Sequence, residues 1–268
     1  VTEDFMSDAV VEFGTLSAID GIDTARMGII GHSEGGLVAP MAVVNMDDRS
    51  ASAAVRAASP AFIVMMAGPG VDGDAILREQ NKRIFLAAGL TEAQIAPAVA
   101  THAAFLDAVK TGADTAVLRA RARELVLAQL ALSGADPAAI PAATLDAQVD
   151  AALKQAGSPW MKRFLVLDPA VALRKVKCPV LVLNGTLDTQ VDAVQNVPPI
   201  EAALKVSGAP ATIKVMPGFN HLFQHAETGA IDEYAKIDMT IDPEVLETIA
   251  SWILAQPPRA AAKPAVSK

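Results

Sequence analysis

The chain has 268 residues, 52% of them hydrophobic and 19% charged, with a net charge of −8. That length can bury the core of one large domain or two small ones, and it leaves disorder to the chain ends. The acidic balance argues against nucleic acid as the main partner, and a single cysteine, Cys178, permits no internal disulfide. The best apolar run, Ala57 to Ala67, is broken by Ser59 and Pro60 and falls short of membrane-spanning length. The chain starts at Val1 with no signal peptide, so it reads as a processed product or a fragment and leaves its compartment open, cytoplasmic or exported.

Residues Thr2 to Phe13 read as a helix, with Phe5, Met6, Ala9, Val10 and Phe13 near one face. A turn at Asp20-Gly21-Ile22-Asp23 leads into a strand over Arg26 to Ile30, followed by Gly31-His32-Ser33-Glu34-Gly35-Gly36 and a helix over Leu37 to Asn45. Pro60 to Ala67 reads as a second, buried strand closed by Gly68-Pro69-Gly70. From Asp74 to Gly157 the chain is rich in Ala, Leu, Gln and Arg and shows no strand pattern. Helices are expected over about Asp74 to Ala88, Glu92 to Lys110, Asp114 to Leu132 and Leu145 to Ala156. Thr91 with Gln94 forms a capping-box pattern, and Gly89, Gly112, Gly134 and Gly157 are plausible stops. This stretch is far longer than a crossover between parallel strands requires. It reads either as a cap over an active site or as a helical bulge that only adds stability. The strand pattern returns at Pro179 to Leu183, with Cys178 as a small core residue beside it, and again at Ala211 to Met216. Helices are expected at about Ile200 to Val206 and Pro243 to Ala255, ahead of a Pro-, Ala- and Lys-rich tail. The expected organisation is a core over residues 1–70, a helical insertion over 71–160, a second core segment over 161–256 and a disordered tail over 257–268.

A Gly-x-Ser-x-Gly turn between a strand and a helix has the spacing of a nucleophile elbow. The serine occupies a strained backbone conformation, and flanking glycines are expected to let strand and helix close around it. A serine hydroxyl is a poor nucleophile, so it needs a base within hydrogen-bond reach and an acid to orient that base. Four histidines are on offer. His32 adjoins Ser33, cannot swing back to serve as its base, and is expected to pack locally. His102 lies among the helices of the insertion and is most cheaply read as a surface residue. His221 follows the last strand within a Pro-Gly turn, and His225 lies one helical turn later. Position after the strand favours His221 as base. His221 and His225 could instead be metal ligands four apart, but Leu222-Phe223-Gln224 lacks the glutamate of H-E-x-x-H. For the acid, Asp188 directly follows the third strand, with Asp192 as second choice. The plain alternative for Asp188 is a turn aspartate bonded to its own backbone. The backbone N–H of Glu34 is one expected oxyanion donor, aided by the helix dipole. The Glu34 carboxylate should then point away or be paired.

These residues resemble the α/β-hydrolase superfamily, and more closely bacterial serine esterases with a G-H-S-E-G-G elbow related to acylaminoacyl- and dipeptidyl-peptidases. The elbow carries the resemblance together with Leu183 to Val191, Met216 to Gln224 and Asp168-Pro169-Ala170. The resemblance implies an α/β fold with a mainly parallel sheet, and Ser33, Asp188 and His221 as nucleophile, acid and base. It also implies that the elbow follows the fifth of eight strands. Here Ser33 has room upstream for one helix only. At about 30 residues per strand–helix unit, on the order of 100 residues of the usual domain are expected to be absent. Only the last four strands are then present in this truncated α/β-hydrolase fold. The second oxyanion donor would lie in the absent part, and its loss costs about 3 kcal/mol, a hundredfold or more in rate. The first strand would become an apolar, exposed sheet edge, open to self-association. The expected activity is hydrolysis of carboxylic esters through an acyl-enzyme. The alternatives are an acylaminoacyl- or dipeptidyl-type peptidase, or a non-catalytic fragment that completes its sheet with a partner. The substrate is a small-molecule ester or a peptide, and neither metal nor organic cofactor is implied, because three side chains and backbone donors suffice.

Overall fold

A computed structural model describes residues 1–48, 59–136 and 139–259. The start of the Ala57 to Ala67 run and most of the 257–268 tail lie outside these residues. The elements in chain order are α1 (Thr2–Ser17), β1 (Gly28–His32), α2 (Glu34–Asp47), β2 (Phe62–Met66), α3 (Gly73–Ala87), α4 (Glu92–Thr111) and α5 (Thr115–Leu132). There follow α6 (Ala142–Ala156), α7 (Pro159–Phe164), α8 (Ala170–Leu173), β3 (Val180–Gly185), α9 (Ala193–Ser207), β4 (Ala211–Met216) and α10 (Pro243–Ala255). Two compact units emerge: Thr2–Val71 with Asp168–Lys268, and Asp72–Leu167.

The first unit is built on a four-stranded parallel sheet in the order β1-β2-β3-β4. Side chains alternate across a strand, so a strand buried on both faces must be apolar throughout. β2 meets that demand, with all five residues of Phe62–Met66 buried. Ile63 and Met65 face one side, where Val43 of α2, Leu173 of α8, Val180 and Val182 of β3 and Ile200 and Leu204 of α9 join them. Phe62, Val64 and Met66 face the other, with Leu181, Leu183, Phe219, Phe223 and, from α10, Val245 and Ile249. α1 covers α2 through Phe13, Ala42 and Met46. Among the described residues β1 pairs only with β2 and forms a sheet edge, where Ile30 is 52% exposed.

α9 begins seven residues before the expected start. Asp192 caps it by accepting from the Gln195 backbone N–H at 2.9 Å, and Pro198 and Pro199 lie inside the helix. Buried Val197, Ile200 and Leu204 hold the segment against the sheet, so packing overrides the prolines' local preference.

The unit Asp72–Leu167 is helical, α3 to α7, around Phe105, Leu106, Val109, Leu125, Leu145, Val149 and Leu165. The capping box at α4 is formed, with Thr91 N–H donating to Gln94 Oε1 at 2.8 Å. Gly112 ends α4 at φ 67°, a left-handed conformation that glycine adopts at no steric cost. No helix among the described residues is long and apolar enough to cross a membrane.

Candidate active site

β1 ends at His32, and α2 begins at Glu34. Ser33 makes the turn between them at φ 56°, ψ −121°. A non-glycine residue held there costs about 1–3 kcal/mol and persists only where its surroundings fix it. The Ser33 N–H donates to the carbonyl of Met66 at 2.9 Å, tying the turn to the end of β2. Ser33 sits at the position that usually caps a helix, yet its side chain makes no cap bond. Its Oγ is therefore not spent on α2.

The flanking glycines are not equivalent. A Cβ on Gly31 would collide with the Gly35 carbonyl, and one on Gly36 would lie 2.6 Å from the Gly68 Cα. A Cβ on Gly35 would meet nothing within 4 Å. Strand–helix closure therefore rests on Gly31 and Gly36, a correction to the expectation that Gly31 and Gly35 share it. The Glu34 carboxylate accepts from Thr2 Oγ1 at 2.7 Å, so it is paired.

The loops after β3 and β4 form the opposite part of the site. The Leu187 N–H donates to the Phe219 carbonyl at 2.9 Å, and the Gly218 N–H to Thr186 Oγ1 at 2.9 Å. A Cβ on Gly185 would overlap the Phe219 carbonyl, so only glycine lets these loops close. His221 is 4% exposed and Asp188 2%. His221 Nδ1 lies 2.9 Å from Asp188 Oδ2 and 3.1 Å from Oδ1. An ionised carboxylate only accepts, so Nδ1 carries the proton and Nε2 keeps its lone pair. Asp188 Oδ1 also accepts from the N–H groups of Gln190 and Val191, each at 2.8 Å. The turn-aspartate reading and the histidine-partner reading thus hold together. Asp192, the second choice, caps α9 instead.

Asn220 shapes the histidine loop, and the sequence reading passed over it. It is fully buried, accepts from the N–H groups of Leu222 and Gln224 at 3.0 Å each, and donates Nδ2–H to Gln224 Oε1 at 2.9 Å. An asparagine beside a histidine after a Pro-Gly turn was the available signal. Residues 221–225 form a tight turn closed by an isolated bridge between Phe219 and His225, so the expected helical turn between His221 and His225 is absent. His225 is exposed and packs at a tilt against Phe219, with ring centroids 4.1 Å apart and planes at 36°. No group of three or more metal-ligating side chains occurs among the described residues.

His32 joins the two halves. Its Nε2–H donates to the His221 carbonyl at 2.8 Å, and the two imidazole centroids lie 4.7 Å apart. The residue keeps a solvent-exposed face, yet desolvation of the ring by its neighbours outweighs that bond and pushes its pKa below the usual 6.5. Local packing therefore extends to bracing the His221 loop. Among the described residues Ser33 Oγ makes no hydrogen bond to His221. Such contacts commonly tighten only when substrate binds.

His102 departs from the surface reading. It is partly buried in the helical unit, and burial, with Arg78 nearby, pushes its pKa down to about 4. Cys178 packs against the sheet core, and burial raises its thiol to about 12.

Residues 133–246 match the model of the dienelactone hydrolase family, under half of the chain. No curated protein matches. Among solved structures, dipeptidyl peptidase 4 of Porphyromonas gingivalis is 12% identical with a TM-score of 0.45, over 94% of this chain and 22% of that one. A double mutant of an esterase is 18% identical with a TM-score of 0.46, over 94% of this chain and 60% of that one. An esterase from Rhodococcus is 18% identical with a TM-score of 0.35, over 85% of this chain and 66% of that one. The chain thus spans less than two thirds of each of these proteins, and likenesses this distant say nothing of its activity. The dienelactone hydrolase match over residues 133–246, the parallel sheet with helices on both faces and the strand–serine–helix turn agree on an α/β-hydrolase-like fold.

Proposed function

We propose that the chain hydrolyses carboxylic esters through an acyl-enzyme formed on Ser33. Ser33 Oγ attacks the carbonyl carbon, and His221 Nε2 takes the hydroxyl proton. The tetrahedral oxyanion accepts from the Glu34 backbone N–H, at the positive end of the α2 dipole. Collapse expels the alcohol, which leaves with the proton from His221. Water, deprotonated by the same nitrogen, then releases the acid and restores Ser33. Asp188 keeps the imidazole in the tautomer that can accept a proton and stabilises the imidazolium.

The buried two-oxygen contact between Asp188 and His221 Nδ1 carries this reading, because it costs a desolvated carboxylate and leaves Nε2 basic. A small acyl ester is the first choice of substrate, ahead of a peptide or acyl-peptide amide. Turnover of p-nitrophenyl acetate, compared with an aminoacyl p-nitroanilide and with the Ser33→Ala variant, tests both points. Ester turnover that vanishes in Ser33→Ala supports the reading, and ester turnover unchanged in that variant removes it.

The exposed edge at β1 favours a second reading, in which the chain completes its sheet with another polypeptide. An active species that runs as a monomer in size-exclusion chromatography contradicts it.

A further inference from the structure

The helical unit carries a half-open cavity of about 220 Å³, lined by its own residues alone. Phe105, Val109, Leu125 and Met161 supply apolar walls, with His102, Gln129 and Gln155 as its polar groups. For comparison, an engineered apolar cavity of about 150 Å³ accommodates benzene. His102 sits on α4 between Ala98 and Phe105, partly buried, and its two ring nitrogens have no hydrogen-bond partner among the described residues. The ring is only partly buried, so its nitrogens stay within reach of water, which a ligand hydroxyl would replace.

The surrounding charges are already spent. Arg78 bonds Asp74 and Asp107, and Lys110 bonds Asp74 at 2.7 Å. A carboxylate entering the cavity would find no unpaired cation on its walls. A cation would find no anion there. A neutral imidazole offers one donor and one acceptor, the complement of a hydroxyl group.

We propose that this cavity is a binding site for a small, neutral, apolar molecule bearing one hydroxyl group, which His102 recognises by hydrogen bonding. The site is separate from the ester chemistry at Ser33 and does not depend on it. Phenol is the probe, with benzene and benzoate as comparisons.

The test titrates the full chain with each molecule, following the melting temperature and the imidazole proton resonances of its four histidines. Phenol should raise the melting temperature and shift the His102 resonances, with affinity near the millimolar range expected of so small a ligand. Benzoate should do neither. His102→Phe should weaken phenol at least tenfold while leaving benzene binding in place. Ala152→Leu, which fills the cavity from α6, should abolish binding of both and leave the fold intact. A folded chain that ignores phenol, or binds phenol and benzene equally, overturns the proposal.

Discussion

His32 Nε2 donates to the backbone carbonyl of His221 at 2.8 Å, joining residues 189 positions apart. The residue beside the proposed nucleophile thereby fixes the loop that carries the proposed base. Such a bond contributes about 0.5–1.5 kcal/mol. His32→Ala should lower kcat on p-nitrophenyl acetate by about tenfold with KM little changed. His32→Gln, whose amide can donate to the same carbonyl, should recover part of the loss. An Ala variant with full kcat would remove the bracing role.

Asp188 accepts from two backbone N–H groups and from His221. Asparagine can keep an acceptor for the backbone bonds but presents an N–H where the imidazole needs an acceptor. Asp188→Asn should therefore retain the melting temperature within a few degrees and lose roughly 10⁴-fold in kcat through the wrong tautomer. Loss of less than tenfold would mean that the carboxylate does not orient the base.

The elbow glycines predict opposite outcomes. Gly31→Ala forces a Cβ onto the Gly35 carbonyl and should destabilise the chain by at least about 2 kcal/mol, read as a fall in the urea midpoint. Gly35→Ala meets open space within α2 and should be neutral or stabilising by up to about 1 kcal/mol. Equal losses in both variants would contradict the packing described.

His102 makes stability depend on pH. Its pKa is about 4 in the folded chain against 6.5 ordinarily, with desolvation and Arg78 lowering it and Asp74 opposing them. Above pH 6.5 both folded and unfolded chains carry it neutral. Between 6.5 and 4 the unfolded chain binds a proton that the folded chain refuses, so stability falls as pH falls. The loss from this group is at most about 3 kcal/mol. Urea midpoints at pH 7.5 and 4.5 should differ less for His102→Phe than for the parent chain. An identical difference would place His102 in water.

The legible parts of the chain carried strong local signals. β4 and α10 fall where the sequence placed them, at Ala211–Met216 and Pro243–Ala255. Ser33, Asp188 and His221 are proposed together because each follows a strand. The structure adds the His221–Asp188 contact, and the further bracing by His32 and Asn220 depends on tertiary bonds that no local pattern encodes. The early start of α9 was hidden by Pro198 and Pro199, whose breaking tendency yields to burial and the Asp192 cap. The helices Pro159–Phe164 and Ala170–Leu173 are too short to show a period. His102 was misread because alanine populates every face of α4, leaving the buried side unmarked.

Covalent labelling with a fluorophosphonate, mapped by mass spectrometry, tests acyl-enzyme chemistry on Ser33 without a substrate. One adduct per chain is expected, on Ser33, formed much more slowly in His221→Ala and absent in Ser33→Ala. A folded chain that takes no label, or an adduct that persists in Ser33→Ala, would contradict that chemistry.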